Sequence, residues 1–172
     1  MDANRESEPT PKKNRTTVER KSERELVVTR NFNGSARLVF EAWTKPELFR
    51  RWWLPKSCGI TLVSCEMDVR VGGTYRLVMG RGDSEPMAFF GRYLEVIPAS
   101  RLVWTNEESD EGSVTTVTFE EKGGKTLLVM HELYPSKEAL DAAGTGAADA
   151  MVETFAQLDE LLVTLVASVG RP

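Results

Sequence analysis

Six strand-length segments follow one another between residues 59 and 133, and one long amphipathic stretch comes after them. The segments run 59–69, 74–79, 87–97, 101–105, 114–121 and 125–133, with turn-forming residues between them. In 74–79 the order Thr-Tyr-Arg-Leu-Val-Met alternates polar and apolar, the mark of a strand with one buried face. Lys122-Gly123-Gly124 is a hairpin signal. Loops this short join neighbours, so the sheet is expected to be mostly antiparallel and paired in chain order. From 147 to about 167, Met151, Phe155, Leu158, Leu162 and Leu165 fall on one helical stripe. Such a helix is about 30 Å long, enough to lie across the apolar face that the sheet must bury. A strongly twisted sheet curled on a helix often leaves space between the two, where a small apolar ligand would bind.

The rest of the chain completes an α+β pattern. The β-branched segment 25–31 is a first strand, broken by Asn33-Gly34-Ser35. Ser35 caps a short helix whose apolar positions are Leu38, Val39, Ala42 and Trp43. Pro46 suits the first turn of a second helix, with Thr44 as its cap, Glu47 near its positive end and Trp52-Trp53-Leu54-Pro55 at its close. Ser136 caps a further short helix through Ala143, interrupted by Gly144-Thr145-Gly146. Residues 1–24 lack periodicity and read as a disordered leader before a single domain, 25–172.

Charge and composition narrow the function classes. The net charge is -4, yet the leader holds seven Lys or Arg against five acids, so the body carries the acidic excess. An acidic body argues against a nucleic-acid groove, which needs clustered cations. No run of 18 apolar residues exists, so no membrane span is expected. A polar, charged start lacks the apolar core of a secretory signal, and a cytoplasmic location follows. Cys58 and Cys65 are then free thiols more readily than a pair, and with one histidine in the chain a zinc site lacks ligands. Gly80-Arg81-Gly82 has no lysine and helix behind it, as a phosphate loop requires. No nucleophile stands beside a base, so no catalytic residue, metal or cofactor is assigned.

Three of the four tryptophans lie in 43–53, and such a cluster wraps a core or lines a cavity. Strand phase places Tyr75, Leu77 and Met79 on one face, with Leu102 and Trp104, Val117 and Phe119, and Leu128, Met130 and Glu132 on others. If these faces point inward, the ligand-binding set is Trp53, Tyr75, Leu77, Met79, Trp104, Phe119, Met130, Glu132, Met151 and Phe155. The alternative is that the same side chains fill a dry core. Glu132, in phase with Leu128 and Met130, is the sharpest candidate: desolvation would raise its pKa and make it an anchor or a general base. Against that, it stands near a strand end, where solvent is close. His131 points the other way.

Several strings in order resemble the START-like, or SRPBCC, superfamily. Within it the chain resembles the family related to the activator of the 90-kDa heat-shock-protein ATPase. They are Val39-Phe40-Glu41-Ala42-Trp43-Thr44 with Pro46-Glu47 and Trp52-Trp53; Cys65-Glu66-Met67-Asp68 leading to Val71-Gly72-Gly73-Thr74-Tyr75-Arg76; and Gly91-Arg92-Tyr93-Leu94-Glu95-Val96 with Pro98 and Arg101-Leu102-Val103-Trp104. The resemblance spans about 25–168. It implies a helix-grip fold, a curved antiparallel sheet of about six to seven strands on a long C-terminal helix, with two short helices after the first strand. Function does not follow from it, since relatives include lipid and polyketide binders, cyclases, self-sacrificing resistance proteins and co-chaperones, without a shared catalytic motif. The leading expectation is a small hydrophobic or aromatic ligand. A cyclase- or hydrolase-type enzyme using Glu132 or Tyr75 comes second. A chaperone partner comes third, because eukaryotic activators carry a large additional N-terminal domain where this chain has a leader. An exposed strand edge or the helix pair offers a surface for a homodimer.

Overall fold

The computed structural model describes residues 16–83, 85–107, 112–144 and 146–169. Eight strands form one antiparallel sheet: β1 (Thr17–Arg20), β2 (Glu25–Asn33), β3 (Thr61–Met67), β4 (Thr74–Gly80), β5 (Met87–Ile97), β6 (Arg101–Thr105), β7 (Val114–Lys122) and β8 (Lys125–Leu133). The order is β1-β2-β8-β7-β6-β5-β4-β3, so the last six strands are the expected meander and β2 closes onto β8. Among the described residues four α-helices accompany them, α1 (Ala36–Thr44), α2 (Pro46–Phe49), α3 (Lys137–Ala143) and α4 (Gly146–Val169), with a single 3₁₀ turn at Lys56–Cys58. This is the helix-grip arrangement, with a higher strand count than the six to seven expected.

The added strand is β1, inside the segment expected to be a leader. Its burial is slight and its sequence Thr-Val-Glu-Arg is half charged, so its own pattern carries almost no strand signal. The backbone ladder to β2 makes it, with Val18 opposite Val28 and leaning on the core. Arg20 adds an ion pair to Asp141 of α3 at 2.7 Å. Residues 1–15 of the expected leader lie outside the described residues.

Local chemistry sets the other elements. Ser35 Oγ accepts from Leu38 N at 3.2 Å and starts α1; Ser136 Oγ accepts from Ala139 N at 3.0 Å and starts α3. The cap expected of Thr44 is not made: Lys45 holds the N-cap position of α2, and Thr44 Oγ1 donates back to Phe40 O inside α1. Helix α2 also ends at Phe49, three residues before the tryptophan pair. Gly123 and Gly124, at φ 59° and 81°, make the two-residue turn that brings Lys122 opposite Lys125.

Helix α4 does not lie across the whole sheet. Its main contacts are with β1, β2 and α1, while α1 packs on β7 and β8 and α2 on β3. Among the described residues no helix packs extensively on β4, β5 or β6. Phe155 of α4 is fully buried, edge-on to Phe32 of β2 at 5.3 Å. Arg30, buried on β2, forms an ion pair with Asp159 and ties α4 to the sheet. The helix therefore seals one half of the concave face and leaves the other half open.

Candidate functional site

The open half is a cavity of about 440 Å³, within the range of small-molecule sites. Its floor is the inner face of β4 and β5: Leu77, Met79 and Phe89, with Met67 from β3. Trp43 of α1, Phe49 of α2, and Trp53 and Trp104 wall it with aromatic rings. Phe49 and Trp53 stack with centroids 4.6 Å apart, and Trp43 has six aromatic rings within 6.4 Å. Trp43 Nε1 is buried and has no hydrogen-bond partner among the described residues, so its N–H sits within that shell of π faces.

The Trp52–Trp53 segment is positioned by α4. Gln157 Nε2 donates to Trp52 O at 3.0 Å and to Leu54 O at 2.8 Å, and Gln157 Oε1 accepts from Lys56 N at 2.9 Å. Glu153 accepts from Ser57 Oγ at 2.5 Å and from Ser57 N at 3.0 Å, and these bonds, the hydroxyl's above all, hold its carboxyl below the ordinary glutamate value. Trp52 turns inward, fully buried, and donates from Nε1 to Ala42 O at 2.9 Å. Trp53 is the member of the pair that reaches the cavity.

One end of the cavity is polar. Tyr75, Asn106, Ser113, Glu132 and Tyr134 line it. Sheet register assembles this end: Tyr93, Trp104, Thr115 and Glu132 are successive partners across β5, β6, β7 and β8. Gly91 on β5 makes room for it. A Cβ there would stand 1.9 Å from Thr105 O and 3.0 Å from Tyr75 Cε2, so only glycine lets the Tyr75 ring reach across. Tyr75 Oη then lies 2.8 Å from Thr105 O and 3.1 Å from Asn106 Oδ1. Asn106 Nδ2 donates toward Ser113 O, Ser113 Oγ and Thr115 Oγ1 at 2.9, 3.1 and 3.0 Å.

Glu132 closes the row. Its Oε1 accepts from Tyr134 Oη at 3.1 Å and from Ser113 Oγ at 3.5 Å. The side chain is enclosed by protein yet reachable through the cavity, and it is half-buried overall. Burial pushes its carboxyl above the ordinary glutamate value; the hydrogen bonds from Tyr134 and Ser113 pull the other way and leave a net upward shift. Burial and the neighbouring carboxylate push Tyr134 up to about 12. Burial also raises the Tyr93 phenol. His131, one residue away, points to the opposite face and pairs with Glu25 at 2.8 Å.

The structure brings six of the ten expected site residues together around this space: Trp53, Tyr75, Leu77, Met79, Trp104 and Glu132. The other four are not among the cavity-lining residues. Phe119 lies 5.4 Å from Phe40, under α1, and Met130 is buried in the core. Met151 and Phe155 share the stripe of α4 that packs on the sealed half. Phase identified the face correctly, but not which helix covers each part of it. Asn106, Ser113 and Tyr134 were missed because they stand at strand ends, outside any alternating run. Cys58 and Cys65 are both free, half-buried thiols. Among the described residues no group of three metal-ligating side chains forms, and no helix is long and apolar enough to cross a membrane.

Comparison with known proteins gives the same architecture. A protein of Rhodobacter sphaeroides is 25% identical over 87% of this chain and 99% of its own, with a TM-score of 0.78. One of Staphylococcus epidermidis is 25% identical over 86% and 94%, with a TM-score of 0.72. One of Nitrosomonas europaea, 23% identical over 83% and 96%, shares the fold at a TM-score of 0.74. The comparison with curated proteins finds no match. The model of the family described as activator of Hsp90 ATPase homolog 1-like protein matches residues 33–163, and the chain belongs to that family, with the helix-grip fold of the START-like superfamily.

Proposed function

We propose that the protein binds a small apolar or aromatic molecule in the cavity over β4–β6. The observation that carries this reading is the cavity itself, about 440 Å³ of space walled by Trp43, Phe49, Trp53 and Trp104 where a dry core would be filled. Apolar walls with a few convergent polar groups are what small-molecule sites share. The test is titration with N-phenyl-1-naphthylamine, an uncharged fluorophore that brightens in apolar surroundings. The expected result is saturable enhancement at one probe per chain, lost in Leu77→Trp, whose indole fills the floor. No enhancement, or enhancement undiminished in a folded Leu77→Trp, would overturn the reading.

A second reading is acid–base chemistry on the bound molecule. It rests on Glu132, a carboxyl raised by burial and hydrogen-bonded to Tyr134 within the same cavity. Glu132→Gln abolishing turnover while probe binding persists would establish it. The family description raises a third function, activation of a chaperone ATPase. Stimulation of such an ATPase that persists in Leu77→Trp would place that activity on the outer surface.

A further inference from the structure

We infer that the cavity selects molecules whose polar end is an uncharged or cationic hydrogen-bond donor, a hydroxyl or amino group, received by Glu132, and that it rejects carboxylates. This rests on the ligand-binding reading above and adds the chemistry of the polar end. Two observations carry it: where the hydrogen bonds of the polar wall go, and which charges the cavity contains.

The donors around Glu132 are occupied by the wall itself, whereas the Tyr93 phenol, also at the cavity, makes no hydrogen bond among the described residues. Tyr134 and Ser113 both give their hydroxyl hydrogens to Glu132 Oε1. The two hydrogens of Asn106 Nδ2 have three acceptors within reach, Ser113 O, Ser113 Oγ and Thr115 Oγ1. The single phenol hydrogen of Tyr75 lies between Thr105 O and Asn106 Oδ1. The acceptor side is not used up. Among the described residues Glu132 Oε2 accepts no hydrogen bond, and it is not sealed from the cavity that Glu132 lines. A carboxylate has room for about four hydrogen bonds, and here two are given, both to the same oxygen. What Glu132 presents to a guest is an acceptor, and the groups beside it have no donor left to offer.

Charge points the same way. Among the described lining residues Glu132 is the one ionisable carboxyl, and there is no Lys, Arg or His. A carboxylate guest entering there would meet an acid with no cation to offset it, in surroundings where like charges repel more strongly than in water. A hydroxyl or amine would instead complete the open oxygen of Glu132, and bonds to a charged acceptor are the stronger kind.

The experiment displaces N-phenyl-1-naphthylamine at pH 7.5 with four guests of one ring system: naphthalene, 2-methoxynaphthalene, 2-naphthol and 2-naphthoate. The expected order has 2-naphthol tightest, the methoxy and parent compounds weaker, and 2-naphthoate weakest. In Glu132→Gln the ratio of naphthol to naphthoate affinity should fall by about tenfold or more, the size of one hydrogen bond to a charged group. Gln keeps an acceptor for Tyr134 and Ser113, and retained naphthalene binding certifies the variant's cavity. Equal binding of naphthol and naphthoate, or an affinity ratio unchanged in Glu132→Gln, overturns the selectivity while leaving the binding reading intact. Failure of all four guests to compete overturns both.

Discussion

Phe155 and Leu77 are both buried apolar side chains inside the same sandwich of sheet and helix, but their surroundings differ. Phe155 is fully buried, with Phe32, Trp43 and Trp52 rings 5.3 to 6.2 Å away. Leu77 is 5% exposed and borders the open space over β4–β6. The difference comes from where α4 rests. Its apolar stripe is satisfied by β1, β2 and α1, and the sheet curls on past it. One half of the concave face is therefore a filled core and the other borders an open cavity. In a close-packed interior an unfilled space costs dispersion contacts, so the two halves should answer differently to truncation and enlargement.

Truncation should separate the halves most clearly. Phe155→Ala leaves a void within a sealed core and is expected to cost about 4 kcal/mol, whereas Leu77→Ala merely enlarges an existing space and should cost about 2 kcal/mol. Urea denaturation of the two variants measures the gap; equal costs would erase the distinction. Enlargement tests it in reverse. Val117→Phe, at a fully buried position in the sealed half, should lose about 1–3 kcal/mol through overpacking. Leu77→Trp should lose less than that, because its added rings enter the cavity. A Leu77→Trp protein as damaged as Val117→Phe would mean the cavity is closed in solution.

The smallest expected effect concerns pH. Burial raises the Glu132 pKa in the folded protein above its unfolded value, so ionising it opposes folding. The stability associated with its protonated form is full below the unfolded value, near 4.5, and is lost as pH rises from there through the folded value. Glu132→Gln should match the native protein near pH 4 and melt higher by an amount that grows as pH rises through the folded value. The groups around the carboxyl are Tyr134 and Ser113, with His131 behind it on the other face. A melting difference independent of pH would show that the carboxyl is solvated, and the polar end of the cavity would lose its low-dielectric character.

The sheet and its closing helix were legible because both have periods that persist for many residues, two in the strands and 3.6 in 147–167. Strand β1 was not, since four residues with two charges hold their place through backbone pairing that sequence alone does not display. The site was half legible. Tyr75, Leu77, Met79, Trp104 and Glu132 share a face by phase, and Trp53 stood out by its bulk. Phe119 and Met130 obey the same phase but lie under helices, and Met151 and Phe155 belong to the α4 stripe that does the covering. Which part of a face is covered depends on the seat of α4, a tertiary fact fixed by such contacts as Arg30–Asp159 and Phe32–Phe155. Asn106, Ser113 and Tyr134 gain their meaning only when the register across β6, β7 and β8 brings the strand ends together.

The most direct test of the cavity is a crystal of the protein soaked with 2-bromonaphthalene and measured at the bromine absorption edge. One strong anomalous peak is expected between Leu77, Trp53 and Trp104, with the surrounding side chains close to their positions in the unliganded protein. Side chains collapsed into that space, or bromine found only on the outer surface, would contradict it.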